Sequence, residues 1–252
     1  MANTITYRAL ATDYDGTLAE DGVVSETTLA ALHRAKAAGL FLVLVTGREL
    51  DELLTVFPGI DVFDTVVAEN GALLYTPQPP PGPAITRLLA TAPPPAFAET
   101  LKLRGVGPLS CGRVIVATWE PHQVTVLETI RDLGLELEVI FNKGAVMVLP
   151  SGVNKASGLR AALLDFELEA TEVVGVGDAE NDHSLLNACG LGVAVANAVP
   201  ALKERADITM SHPRGQGVVE LLDAMMNGGL AGISRAPREI AAPAVPIVAA
   251  GA

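Results

Sequence analysis

Short apolar runs alternating with amphipathic stretches recur at both ends of this 252-residue chain. Residues 5–12 are β-branched and apolar and stop at Asp13, which predicts a strand. Residues 25–38 follow with Leu29, Leu32 and Ala35 at helical spacing, with Ser25 suited to the N-cap and Gly39 to the C-terminal cap. Residues 40–45 form a continuous apolar run, as expected of a parallel strand covered on both faces. Strand, helix, strand is a βαβ unit, and it returns later in the chain. There, residues 154–166 predict a helix, 172–176 a strand, 182–188 a helix and 191–195 a further strand. The two ends read as halves of one doubly wound, parallel, Rossmann-like α/β core.

The middle has another texture. Eight of the 17 prolines fall between Pro77 and Pro95, which marks a linker and irregular connection. Residues 114–118 then predict a strand, 121–133 a helix with Pro in its first turn, and 137–141 and 145–149 two strands around Asn142-Lys143-Gly144. This is the pattern of a small inserted α+β unit. The expected organisation is a discontinuous core of residues 1–82 and 150–229, an inserted cap of 83–149, and a flexible Ala/Pro-rich tail of 230–252.

Composition narrows the function classes. The balance of 17 Lys+Arg against 29 Asp+Glu gives −12, which argues against a nucleic-acid binder working by broad charge attraction. Half the residues are hydrophobic, so a packed core is affordable and disorder is not expected. No apolar run approaches the roughly 20 residues of a membrane helix, and residues 1–8 lack a secretory signal. Cys111 and Cys189 make no disulfide framework. A cytoplasmic protein without nucleic-acid or membrane partners is expected.

The candidate chemistry lies where predicted strands end. Asp13 and Asp15 follow the first, Thr46-Gly47-Arg48 the second and Gly177-Asp178 the strand near residue 176, and such carboxyl ends share the ligand-binding edge of an open parallel sheet. Gathering Asp13, Asp178 and Asp182 brings three carboxylates together, which calls for a compensating cation. With oxygen donors and no His or Cys nearby, Mg²⁺ is favoured over Zn²⁺. Backbone N–H groups where the chain enters the helix after Thr46 suit a phosphate, and Gly16 suits a sharp exit from the first strand. Arg48 suits either pairing with a carboxylate or reaching substrate. Asn70-Gly71 reads as a hairpin turn and Cys189 as a small buried residue; Trp119, His122 and Lys143 lie in the cap, where substrate selection would fall, with an ordinary surface role also available to each.

The segment Asp13-Tyr14-Asp15-Gly16-Thr17-Leu18 resembles the first motif, D-x-D-G-T-L, of the haloacid dehalogenase superfamily. Thr46 in V-T-G-R matches the second motif, Lys155 the third, and Gly177-Asp178-Ala179-Glu180-Asn181-Asp182 the fourth, G-D-x-x-N-D. The place of the insertion resembles the type IIB cap of the Cof-like branch, as do Glu69-Asn70-Gly71-Ala72 and the run from Gly192 to Ala198. The resemblance places Lys155 at the same sheet edge. It implies a Mg²⁺-dependent phosphatase of small phosphorylated metabolites such as sugar phosphates or phosphoglycolate. In it, Asp13 is the nucleophile that becomes an aspartyl-phosphate, and Asp15 is the acid and base. The metal would be held by Asp13, the Asp15 carbonyl, Asp178 and, directly or through water, Asp182. Thr46, Gly47, Lys155 and Asn181 would hold the phosphoryl oxygens. A phosphomannomutase-like phosphotransferase and a non-catalytic phosphate-ligand sensor are the competing readings.

Overall fold

The computed structural model describes residues 7–77, 82–230 and 233. Among them, two sheets form. The larger is built from β1 (Ala9–Thr12), β2 (Phe41–Val45), β3 (Thr65–Ala68), β4 (Leu73–Thr76), β5 (Ile85–Leu88), β10 (Val173–Gly177), β11 (Leu191–Ala194) and β12 (Ile208–Thr209), in the order β12-β11-β10-β1-β2-β3-β4-β5. Strands β12 through β3 are parallel, and β4 and β5 run antiparallel at one edge. Every residue of β1, β3, β10 and β11 is buried, which is why these strands read as continuous apolar runs instead of alternating ones.

Helices α1 (Glu26–Ala37), α2 (Leu50–Val56), α5 (Lys155–Asp165), α6 (Asp182–Ala188), α7 (Pro200–Lys203) and α8 (Arg214–Met226) belong to this part of the chain. The Ser25 side chain caps α1 by accepting from the Thr28 N–H, and a reciprocal Asn154–Ser157 box starts α5. The smaller sheet, order β6-β7-β9-β8, is antiparallel and comprises β6 (Ser110–Cys111), β7 (Val116–Trp119), β8 (Leu137–Asn142) and β9 (Ala145–Pro150), with α3 (Pro95–Leu103) and α4 (Gln123–Asp132) beside it. Its strands have two faces. Val116, Val146 and Val148 pack with Phe97, Leu101 and Val126, whereas Met147 and Leu149 pack with Val114, Ile115 and core residue Ala72.

Three expectations need correction. Ile85–Leu88, within the stretch read as the opening of the cap, pairs instead with β4 at the edge of the larger sheet. All four residues are exposed, so the strand carries no apolar signature. Leu230, placed at the start of a flexible tail, is buried in the main core; the tail beyond it lies outside the described residues apart from Ile233. The helix after Thr46 starts only at Leu50, which leaves Gly47 and Arg48 in the loop. No helix among the described residues is long and apolar enough to cross a membrane.

Candidate active site

With β2 on one side of β1 and β10 on the other, the connections diverge here and the carboxyl ends of the three strands open onto one crevice. The Asp13 N–H is bonded to the Val176 carbonyl at 3.0 Å, and the Thr46 N–H to the Val67 carbonyl at 2.8 Å, so ladder bonds fix both residues at the sheet edge. Gly177 brings the next loop close: a Cβ there would stand 2.5 Å from the Asp182 Cβ. Gly16 holds φ at +83°, a left-handed conformation in which any side chain would strike the Asp178 carboxylate.

The carboxylates are met by cations. The Lys155 side chain is fully buried, with Nζ 2.5 Å from Asp13 Oδ1 and 2.6 Å from Asp182 Oδ1. Burial works against its charge, but the Asp13 and Asp182 carboxylates outweigh that and hold its pKa above the ordinary lysine value. Burial, aided by Asp182 and opposed by Lys155, pushes the Asp13 carboxyl up to about 7. The second oxygen of Asp182 accepts the N–H groups of Asp178 and Ala179 at 2.9 and 3.0 Å. Asp182 therefore shapes its own loop as well as orienting Lys155. Burial also raises the Asp178 carboxyl, against the lowering effect of Lys143.

Arg48 takes the carboxylate side of its two expected uses. Its guanidinium grips Asp15 at 2.6 and 2.7 Å and reaches Glu52 at 2.5 Å. The Thr46 hydroxyl accepts the Arg48 N–H at 3.1 Å. Asn181, expected beside the phosphoryl oxygens, donates to Asn70 Oδ1 at 3.1 Å while its own Oδ1 is buried without a hydrogen-bond partner. Asp13, Asp15, Thr46, Gly47, Arg48 and Asn181 all line one cavity of about 590 Å³ closed on its far side by the smaller sheet; Lys155, Asp178 and Asp182 lie behind it. Ile115, Ala117, Trp119 and Met147 form its apolar wall.

Several residues gain roles that their sequence positions did not announce. Lys143 reaches across from the β8–β9 turn to place Nζ 2.8 Å from Asp178 Oδ2 and 3.1 Å from the Asp15 carbonyl. Asn197 donates to the Gly16 carbonyl at 2.8 Å and to Asp178 at 3.3 Å, and the Thr17 hydroxyl donates to Asp178 at 3.3 Å. Fully buried Glu69 accepts the N–H groups of Arg113, Val114 and Ile115 in the loop before β7. A polar residue directly after or within an apolar strand run was the available signal for Glu69 and Asn197. For Lys143 the signal was its place in a turn of the inserted unit, where substrate selection was expected.

Asp13, Asp178 and Asp182 each offer an oxygen within 4.8 Å of the others, and all three are buried. A donor set of oxygens alone, at this density of negative charge, fits a hard divalent cation. The ammonium of Lys143 already rests on one of these three carboxylates, that of Asp178, and on the neighbouring Asp15 carbonyl.

A family model described as haloacid dehalogenase-like hydrolase matches residues 10–79 and 122–222. The phosphoglycolate phosphatase of Methanothermobacter thermautotrophicus is 33% identical over 228 residues, covering 87% of this chain and 99% of that protein. That of Pyrobaculum aerophilum is 30% identical over 230 residues, covering 88% and 97%. Among solved structures, Thermoplasma acidophilum 0175 superposes with a TM-score of 0.74 at 16% identity, covering 87% of this chain and 98% of the other. The HAD subclass IIB sugar phosphatase BT4131 gives 0.69 at 19%, covering 88% and 99%; these two likenesses concern the fold.

Proposed function

The chain belongs to the haloacid dehalogenase-like hydrolases, and from that premise we propose that this phosphatase of small phosphorylated metabolites acts on phosphoglycolate, with Mg²⁺ at its acidic cluster. The observation that carries the reading is the grouping of Asp13, Asp178, Asp182 and Lys155 at one sheet edge, beside a cavity walled on one side by the smaller sheet. Likeness to phosphoglycolate phosphatases over nearly their whole length supports the substrate.

Asp13, at the end of β1, attacks phosphorus in line, and the leaving alcohol departs into the cavity. Lys155 holds Asp13 Oδ1, which leaves the other oxygen as the nucleophile. Asp15 protonates the alcohol and then takes a proton from the water that cleaves the aspartyl-phosphate. Both Asp15 oxygens rest on Arg48, so this step requires that pair to open. Thr46 and the Gly47 backbone border the phosphoryl position. Asp13, the Asp15 carbonyl, Asp178 and, directly or through water, Asp182 would hold Mg²⁺, which would supply charge neutralisation between nucleophile and phosphate. The smaller sheet excludes bulk water.

The cavity has more room than a two-carbon leaving group fills, and its wall carries Trp119. That favours a sugar phosphate as the second reading. Phosphate release with Mg²⁺ from a panel holding phosphoglycolate and hexose phosphates decides between them. Asp13→Asn is expected to abolish release from either, and retained turnover would refute the nucleophile assignment.

A further inference from the structure

We infer that Lys143 is the specificity-determining residue through which this phosphatase selects a leaving group bearing a carboxylate. The inference rests on the phosphoglycolate reading and assigns that substrate's second charge to one side chain.

A carboxylate entering this cavity meets an acidic environment that includes Asp13, Asp15, Glu49 and Glu52. Among the described residues lining it, the cations are Arg48 and Lys143. Arg48 is held by two acids, with Nε and Nη2 on Asp15 and Nη1 on Glu52, so when the Asp15 pair opens for catalysis Glu52 still retains it. The facing wall of Ile115, Ala117 and Met147 offers no charge. Stripping a carboxylate of water against such a wall is costly unless a cation meets it. Lys143 is placed for this. It sits with Gly144 in the two-residue turn between Asn142 and Ala145, at φ +49° and +83°, so the register of β8 with β9 sets where its side chain starts. Its side chain is 44% exposed, and its contacts are the Asp178 carboxylate and the Asp15 carbonyl. Those oxygens are the ones a divalent cation would take, and the ammonium would then be released beside the leaving group's space.

The test compares phosphoglycolate with its uncharged carboxamide analogue at saturating Mg²⁺. Both carry the same phosphoryl group, so any effect of a substitution on Asp13 or on the metal cancels in the ratio of their kcat/KM values. The expected result is a wild-type preference for the carboxylate that falls about tenfold or more in Lys143→Met and is largely kept in Lys143→Arg. Binding gives a second readout. In the Asp13→Asn background, quenching of Trp119, the chain's one tryptophan, by phosphoglycolate should need a correspondingly higher concentration when Lys143→Met is added. A wild-type preference that survives Lys143→Met overturns the assignment and leaves the substrate reading standing. A wild-type enzyme inactive on phosphoglycolate overturns the substrate reading, and this inference with it.

Discussion

Replacing Glu69 should loosen the smaller sheet from the core. The residue follows β3, and its buried carboxylate accepts N–H groups from Arg113 at 2.9 Å, Val114 at 2.7 Å and Ile115 at 3.0 Å. Val114 and Ile115 are themselves buried, so Glu69→Ala strands donors that water reaches only if the loop lifts away. At about 1–3 kcal/mol per stranded donor, the two buried donors make the loss about 2–6 kcal/mol. In a chain of this size that lowers the Tm by about 4–24 °C. Glu69→Gln keeps one acceptor oxygen but turns an amide NH₂ toward donors, and should lose about half as much. Lifting the loop would also withdraw Ile115 from the cavity wall, so KM for phosphoglycolate should rise in step with the loss of stability. Differential scanning calorimetry and steady-state phosphate release measure the two. A Glu69→Ala protein melting within about 2 °C of wild type, with unaltered KM, would refute the reasoning.

Lys155→Met leaves two buried carboxylates facing each other, and should cost about 3–5 kcal/mol in urea denaturation as well as ending turnover. Adding Asp13→Asn should recover part of that stability. Arg48→Ala is expected to show the opposite split: its pairs with Asp15 and Glu52 are partly exposed, so stability should change by less than about 1 kcal/mol. With Asp15 released from a pair that its acid step must open, kcat should be kept or raised, and a fall of about tenfold would show that Arg48 positions Asp15 instead. Gly16→Ala forces a side chain into a left-handed residue and against Asp178, so the Mg²⁺ concentration for half-maximal activity should rise. An unchanged Mg²⁺ titration would count against Asp178 as a ligand.

Much of the larger sheet was legible because its strands are buried on both faces. Residues 40–45 and 191–195 are continuous apolar runs, and the first polar residue after each, Thr46 and Asn197, marks the sheet edge. Asp13, Thr46 and Asp178 became visible together in this way. Ile85–Leu88 was hidden for the opposite reason: an exposed edge strand after a proline cluster has no hydrophobic pattern to read. The contacts of Lys143 and Glu69 were hidden by distance along the chain, with 35 residues between Lys143 and Asp178 and 46 between Glu69 and Ile115. Periodicity reports which face of an element is buried. It carries no information about which turn of one sheet meets which loop of another.

The charge arrangement explains how an acidic protein can receive an anion. Across the whole chain the balance is −12, yet at the crevice Asp13, Asp15, Asp178 and Asp182 face Lys155, Arg48 and Lys143. With Glu49 and Glu52, which line the same cavity, six carboxylates against three cations leave three negative charges, which repel a phosphate. One divalent cation cuts that to one, and it also lowers the cost of ionising Asp13, whose carboxyl burial and Asp182 push up to about 7. Short-range terms dominate because Asp13 and Lys155 are shielded from water, whereas most of the remaining charges lie beyond a screening length of about 8–10 Å at physiological salt. The field felt by substrate is set by the few residues at the ends of β1, β2 and β10 and by the cap lysine opposite them, not by the sum over the surface.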